Sequence, residues 1–314
     1  MMVTATAVNE FIARRKRSVS NICFRTFAKI RRLPSEVWIE NTNICNASCV
    51  MCPREKLTRK TGFMTLSLYE KIIKEISRFP NEVQRVHLHN YGEPLLDNML
   101  VERIRIAKES GIKQLYFVTN ASALVPELSE KIIRSGLDEF KVSFYGTDKA
   151  TYENTMRGLD FDKTIRNIRE FFRIRKMLNA DKPRVIIQYV PQESNGAQVS
   201  EFTNIFQPLI DHSLGDRLSV FSLHDFGGGR DYCDARLKRI SRICRYPWRT
   251  MVILHEGTVA LCCFDFDGKQ TTGNMQESTI EEIWNNKRYR QTREDFKKLN
   301  YRDYPVCLKC NYIR

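Results

Sequence analysis

From residue 36 to residue 223 the chain alternates short β-rich runs with stretches of helical periodicity. The β-rich runs span residues 36–42, 83–89, 113–119, 139–145, 184–190 and 218–223, and the helical ones 65–78, 98–110, 127–135, 161–178 and 200–209. A strand followed by a helix and another strand reaches a parallel partner, because a parallel pair needs a long crossover. The alternation therefore predicts an α/β protein, a parallel sheet with covering helices. Eight βα units would close a full barrel; the six counted here predict an open, partial (β/α)6 barrel. Local signals agree. Leu68, Ile72, Ile73 and Ile76 recur at helical spacing behind Thr65, a candidate N-cap, and Gly111 and Gly136 stop two later helices.

The pattern breaks over residues 224–243, where D-F-G-G-G-R-D-Y-C-D lacks the spacing and the Lys-Ser/Thr of a phosphate loop and reads as a linker or active-site flap. Residues 250–255 and 258–264 read as a hairpin around Glu256-Gly257, residues 279–296 as a helix, and the chain closes on C-L-K-C. The expected division is a basic arm at 1–35, the partial barrel at 36–230 and a small C-terminal domain at 231–314.

In such barrels the functional residues sit at the carboxyl ends of the strands. The first strand runs into N-I-C-N-A-S-C-V-M-C-P-R, which sets Cys45, Cys49 and Cys52 in C-x3-C-x2-C spacing. Three thiolates on one tight loop can hold three corners of a cubane [4Fe–4S] cluster. The next cysteine is Cys233, so the fourth iron has no nearby protein ligand. An open iron can bind a substrate or cofactor, which points to chemistry rather than electron storage. Two other readings stand beside this one. Cys49 and Cys52 could form half of a zinc site with His87 or His89, or the thiols could be buried hydrophobes. Tyr91-Gly92-Glu93-Pro94 follows the second strand. Its glycine permits close backbone approach, and its carboxylate could accept from an ammonium; alone, the motif is a tight turn.

Composition narrows the class. With 314 residues, 42% apolar and 11% aromatic, the chain can fill one large and one small domain. No run approaches the ~20 apolar residues of a membrane span. The first residues lack a basic stretch followed by an apolar one, so a signal peptide is not expected and the expected location is cytoplasmic. Ten cysteines in such a chain favour reduced thiols and metal ligation. Half of the net charge of +14 falls in residues 1–32, where eight Lys and Arg face Glu10 alone. Phe11, Ile12, Ile22, Phe24, Phe27 and Ile30 interleave with these charges, as in an amphipathic helix. Such an arm is a solvated helix, or it meets phosphates, an anionic membrane surface or an acidic partner.

Taken together, the cysteine loop and the Gly92-Glu93-Pro94 turn resemble the radical S-adenosylmethionine (SAM) superfamily, from about residue 36 to the end. The resemblance implies a TIM-like partial barrel in which Cys45, Cys49 and Cys52 hold a SAM-binding [4Fe–4S] cluster. It places Met51 at the adenine and Gly92, Glu93 and Pro94 at the methionine amino group. Asn120 and Ser143 fall at strand ends that reach the ribose and carboxylate. Arg157 and Gln188 are further candidates, Arg157 for the carboxylate. Cys244, Gly257-x4-Cys262 and Cys307-x2-Cys310 resemble the SPASM/twitch extension in a form with one auxiliary [4Fe–4S] cluster, as in dehydrogenases of the 2-deoxy-scyllo-inosamine type. On physical grounds two such pairs equally suit zinc. Cys263 could replace Cys262 as ligand, and Cys233 could be a hydrogen-atom donor.

The implied reaction is one-electron cleavage of SAM to a 5′-deoxyadenosyl radical, which abstracts hydrogen from a bound substrate. An auxiliary cluster could accept the second electron of an oxidation. The short segment before the first strand favours a small molecule, a sugar, aminocyclitol or nucleotide-linked sugar, over a peptide. The basic charge favours a phosphorylated one. The expected reductant is a flavodoxin or ferredoxin, and nucleic acid is not an expected partner. The rivals are a radical epimerase, a C–C bond-forming enzyme, a peptide-modifying SPASM enzyme and, in another class, a zinc-stabilised basic nucleic-acid-binding protein.

Overall fold

The computed structural model describes residues 20–25, 30–226, 229 and 240–313. The strands in chain order are β1 (Glu36–Ile39), β2 (Ser48–Cys49), β3 (Arg85–His87), β4 (Leu115–Thr119), β5 (Glu139–Ser143), β6 (Met156–Arg157), β7 (Arg184–Tyr189), β8 (Arg217–Val220), β9 (Thr250–Ile253), β10 (Thr258–Ala260) and β11 (Thr271–Asn274). Among the described residues, nine of them form one sheet in the order β11-β10-β9-β1-β3-β4-β5-β7-β8. The six strands expected from the alternation pair in parallel, β1 with β3 and onward to β8. The protein is thus α/β, a partial barrel followed by a small C-terminal unit. That unit is not merely appended. Its strand β9 pairs in parallel with β1 along Glu36–Ile39, covering what would be an open sheet edge. The hairpin β9–β10 turns at Glu256-Gly257, where Gly257 has φ 96°. The pair β2–β6 forms a separate ribbon beside the cysteine loop.

The helices α1 (Leu66–Ser77), α2 (Leu100–Glu109), α3 (Pro126–Arg134), α4 (Lys149–Thr155), α5 (Phe161–Met177) and α6 (Val199–Phe206) cover the sheet. Thr65 caps α1 by accepting from the Leu68 amide, and Gly111 and Gly136, both at positive φ, end α2 and α3. The strands alternate as a two-faced sheet requires. Val37, Ile39, Val86, Leu88, Leu115, Phe117, Phe140 and Val142 are buried in the main core under the helices. Full burial of each contributes about 1.5–3 kcal/mol. Residues between them, such as Trp38, His87, Tyr116 and Lys141, face the barrel lumen.

In the C-terminal unit, α7 (Tyr246–Arg249) precedes β9, and α8 (Ile280–Trp284), α9 (Lys287–Lys297) and α10 (Pro305–Leu308) follow β11. The single helix expected over 279–296 is therefore two. Asn286 interrupts it: its side chain accepts from the Tyr289 amide at 2.9 Å, capping α9, and donates to the Thr272 carbonyl at 2.7 Å. The strand expected over 258–264 stops at Ala260, and residues 261–268 turn so as to carry Cys262 and Cys263. Among the described residues no helix is long and apolar enough to cross a membrane.

Candidate functional site

The cysteine loop is held from both sides by backbone contact. A Cβ built on Gly92 would lie 2.2 Å from the Thr42 carbonyl oxygen and 2.9 Å from that of Ile44. Only glycine permits this approach, and the next amide, Glu93 N, donates to Ile44 O at 2.8 Å. On the other side Asn43 donates to Lys60 O and accepts from Gly62 N, and Thr42 Oγ1 donates to Gly62 O. Cys49 lies on the ribbon opposite Met156, and the Val50 amide donates to Thr155 O. Cys45, Cys49 and Cys52 are each half-buried. Burial pushes the Cys45 thiol up to about 11 and raises Cys49 further. Thiols so placed become thiolates when a metal takes the proton's place.

Glu93 is buried, and both of its oxygens accept hydrogen bonds. Oε1 accepts from Thr119 Oγ1 at 2.6 Å and the Leu95 amide at 3.1 Å, and Oε2 accepts from the Asn120 amide at 2.7 Å. Burial outweighs these bonds and pushes its carboxyl up to about 7. Oε2 keeps acceptor capacity for one further donor. Pro94 opens the short 3-10 turn that Glu93 caps. The Asn120 side chain ties the strand end to the cysteine loop: Nδ2 donates to Asn46 Oδ1 at 3.0 Å, and Asn46 Nδ2 donates to Ser122 Oγ at 2.8 Å. Ser143 and Gln188 are register partners joined through Tyr145, whose hydroxyl donates to Ser143 Oγ and accepts from Gln188 Nε2. Asn46, Ser122 and Tyr145 escape sequence reading, although Asn46 stands inside the cysteine motif. Met51 is buried in the main core, and Arg157 is exposed on the ribbon opposite Ser48.

The second thiol set is deeper. Cys244, Cys262, Cys307 and Cys310 are each 7–8% exposed. Burial raises the thiols of Cys244, Cys262 and Cys307, Cys244 to about 12, and the neighbouring thiols add to the effect: Cys262 is influenced by Cys263, Cys307 and Cys244, and Cys307 by Cys244 and Cys310. The four therefore converge although they come from separate segments. Tyr301 braces them, its hydroxyl accepting from the Cys244 amide and donating to Arg242 O. Cys263 packs with Val252, Leu254 and Ala260, and its side chain bonds Tyr246. Tyr91 joins the two sites, donating to the Cys263 carbonyl at 2.7 Å, with Cys52 and Cys262 among the thiols that influence its hydroxyl. Cys233 lies outside the described residues.

Among the described residues, only Glu40, His255 and Glu256 bring three metal-ligand atoms within 4.8 Å of one another. A tetrahedral zinc site with Zn–S of about 2.3 Å sets its sulfurs ~3.8 Å apart, and no cysteine set, with or without His87 or His89, is that tight. The Glu40 cluster is itself occupied by Arg59, whose guanidinium pairs both Glu40 oxygens at 2.6 Å.

The radical SAM superfamily profile matches residues 39–177, which contain the cysteine loop and the Gly92-Glu93-Pro94 turn in contact with it. Residues 39–177 form a radical SAM domain. SPASM, an iron–sulfur cluster-binding domain, matches residues 244–311 and takes in all four cysteines of the second set. The cofactors of this radical SAM enzyme are SAM, a [4Fe–4S] cluster in the barrel and auxiliary iron–sulfur in the SPASM domain. The S-adenosyl-L-methionine-dependent 2-deoxy-scyllo-inosamine dehydrogenase of Niallia circulans is 24% identical over 284 residues, 90% of this chain and 94% of the relative. A crystal structure of BtrN in complex with AdoMet and 2-DOIA has the same fold, with TM-score 0.62 at 21% identity, covering 89% of this chain and 93% of that one. Streptococcus suis SuiB bound to precursor peptide SuiA gives TM-score 0.68 at 16% identity, covering 95% of this chain and 74% of SuiB.

Proposed function

We propose that this radical SAM enzyme is a dehydrogenase acting on a small hydroxylated molecule: a sugar, aminocyclitol or nucleotide-linked sugar. The observation that carries the reading is the bond from Tyr91, in the turn beside the cysteine loop, to the carbonyl next to Cys262. It supports a second redox centre against the mouth of the barrel, where an acceptor for the second electron of an oxidation belongs. Mutual coverage of about nine-tenths with the 2-deoxy-scyllo-inosamine dehydrogenase supports a small-molecule substrate. SuiB supports the peptide-modifying alternative more weakly, because at 16% identity it shares the fold alone.

Cys45, Cys49 and Cys52 would hold the SAM-binding cluster, and Cys244, Cys262, Cys307 and Cys310 the auxiliary one. When bound, the first cluster supplies the electron that cleaves SAM to a 5′-deoxyadenosyl radical. Glu93 Oε2 receives the methionine ammonium, Gly92 and Pro94 shape that turn, and Arg157 takes the carboxylate. Met51 flanks the adenine; Asn120, Ser143 and Gln188 position the ribose and carboxylate. A flavodoxin or ferredoxin supplies electrons in the cytoplasm, and the chain divides into the arm 1–35, barrel 36–230 and auxiliary domain 231–314. The basic arm is a candidate membrane-surface contact.

The test is incubation of reconstituted enzyme with SAM, a reductant and candidate sugars in deuterated solvent. Dehydrogenation predicts a product lighter by two hydrogens. An isomeric product carrying one solvent deuterium would instead establish epimerisation, with Cys233 as the hydrogen donor to replace.

A further inference from the structure

The barrel lumen below the Glu93 turn contains polar groups that nothing in the fold uses. Trp38, His87 and Tyr116 occupy one register level of β1, β3 and β4. His89 and Lys141 lie on the same face, each two residues beyond a lumen residue, His87 and Glu139. The Trp38 ring stacks on His87 at 4.3 Å and lies 4.8 Å from His89, and Tyr116 meets both histidines edge-on at 5.1 and 5.3 Å. His87 and His89 are each 5% exposed, yet Nδ1 of both and Nε1 of Trp38 lack a hydrogen-bond partner. His87 uses Nε2 on Glu36 at 3.3 Å. Nothing described bonds His89.

Lys141 adds a charge to this cluster. Its ammonium lies 4.5 Å from the Phe221 ring centroid and 6.0 Å from that of Tyr116, and among the described residues it makes no hydrogen bond or ion pair. The nearby carboxylate, Glu139, is already paired with Arg184 at 3.2 Å and Arg85 at 3.9 Å. Burial, with Arg217 and Arg85 adding to it and Glu139 opposing, draws the Lys141 ammonium down to about 8. Both histidines are drawn down, by burial first and by neighbouring charge that includes Lys141, so they stand neutral, able to donate and accept. An unpaired ammonium beside neutral imidazoles whose Nδ1 atoms are unbonded is a receptor for an anionic group on a hydroxyl-bearing molecule.

We propose that the lumen binds the substrate through an anionic group, a phosphate or a carboxylate, held by Lys141, with His89 bonding that group or an adjoining hydroxyl. The inference rests on the radical SAM dehydrogenase reading for its statement that the bound molecule is the substrate.

Reductive labelling of the reconstituted holoenzyme with pyridoxal 5′-phosphate and cyanoborohydride, mapped by peptide mass spectrometry, tests the site without any need for SAM cleavage. Lys141 is expected among the labelled lysines, because an amine with no hydrogen-bond or ion-pair partner among the described residues is free to form the imine that cyanoborohydride reduces. Millimolar inorganic phosphate or malonate should protect it. Protection by phosphate alone assigns a phosphate group, and protection by malonate alone a carboxylate. His89→Gln, shown folded by circular dichroism, should weaken the protection several-fold. Calorimetry supplies the second measurement: Lys141→Arg should retain phosphate binding and Lys141→Met should lose it. Labelling spread over surface lysines, or protection by neither anion, overturns the proposal. A wild-type enzyme that labels as expected but never cleaves SAM instead overturns the dehydrogenase reading and leaves the anion site standing.

Discussion

The two thiol sets of this protein are built in opposite ways. Cys45, Cys49 and Cys52 share one loop, are half-buried, and owe their position to backbone contacts with Gly92 and Gly62. Cys244, Cys262, Cys307 and Cys310 are brought together from the segment before α7, the turn after β10, α10 and the residues just past α10, and all are buried. A locally assembled site with an accessible side suits the binding of a small molecule. A site assembled by tertiary packing and sealed from water suits electron transfer and also staples the domain that holds it. The difference teaches that loss of ligands should be a chemical event in one place and a structural event in the other.

The largest effect should come from the open site. Replacing Cys45, Cys49 and Cys52 together by Ala should abolish SAM cleavage and remove about four of eight irons, while circular dichroism stays near wild type. Unfolding of that variant would erase the contrast. In the sealed site, Cys307→Ala with Cys310→Ala should abolish product and lower the melting temperature by several degrees, since a lost stabilisation of ~1 kcal/mol lowers it by about 2–4 °C in a domain of 150–250 residues. Formation of 5′-deoxyadenosine should persist at temperatures where the variant remains folded. An unchanged melting temperature would show that this metal centre does not staple the fold.

Glu93 sharpens the comparison at the rim of the open site. Glu93→Gln removes the charge but keeps an acceptor, so SAM affinity measured by calorimetry should fall about tenfold or more with iron content retained, the value of a charge-assisted bond of roughly 1.5–3 kcal/mol. The smallest effect tests what joins the halves. His255 bonds Glu256 and Glu40; although burial opposes it, these carboxylates raise its ring to about 9 from the ordinary 6.5. A raised cation stabilises the fold fully below pH 6.5 and ceases to do so as pH rises through 9. Thermal stability should therefore drop by about 2–4 °C across that window, and His255→Gln should flatten the drop.

Much of the barrel was legible because its signals are local. Thr65 caps its own helix, Gly111 and Gly136 end theirs, and the core residues of each strand alternate within a few positions. The missed features depend on distant partners. Asn286 breaks a helix because Thr272 accepts its amide, and β11 exists because β10 lies beside it. Tyr145 carries no motif and gains its place only from Ser143 and Gln188 on neighbouring strands.

By itself the sequence determined the order of strands and helices, the C-x3-C-x2-C loop and the Gly92-Glu93 turn, since each depends on residues adjacent in the chain. Tertiary structure decided that β9 would complete the sheet against β1, that Tyr91 would reach Cys263, and that Trp38, His87, His89 and Lys141 would face one lumen with their polar atoms unspent. Spacing along a chain sets which side chains a loop or helix presents together, but a hydrogen bond between residues 91 and 263 exists only once burial of the apolar faces has brought their segments together.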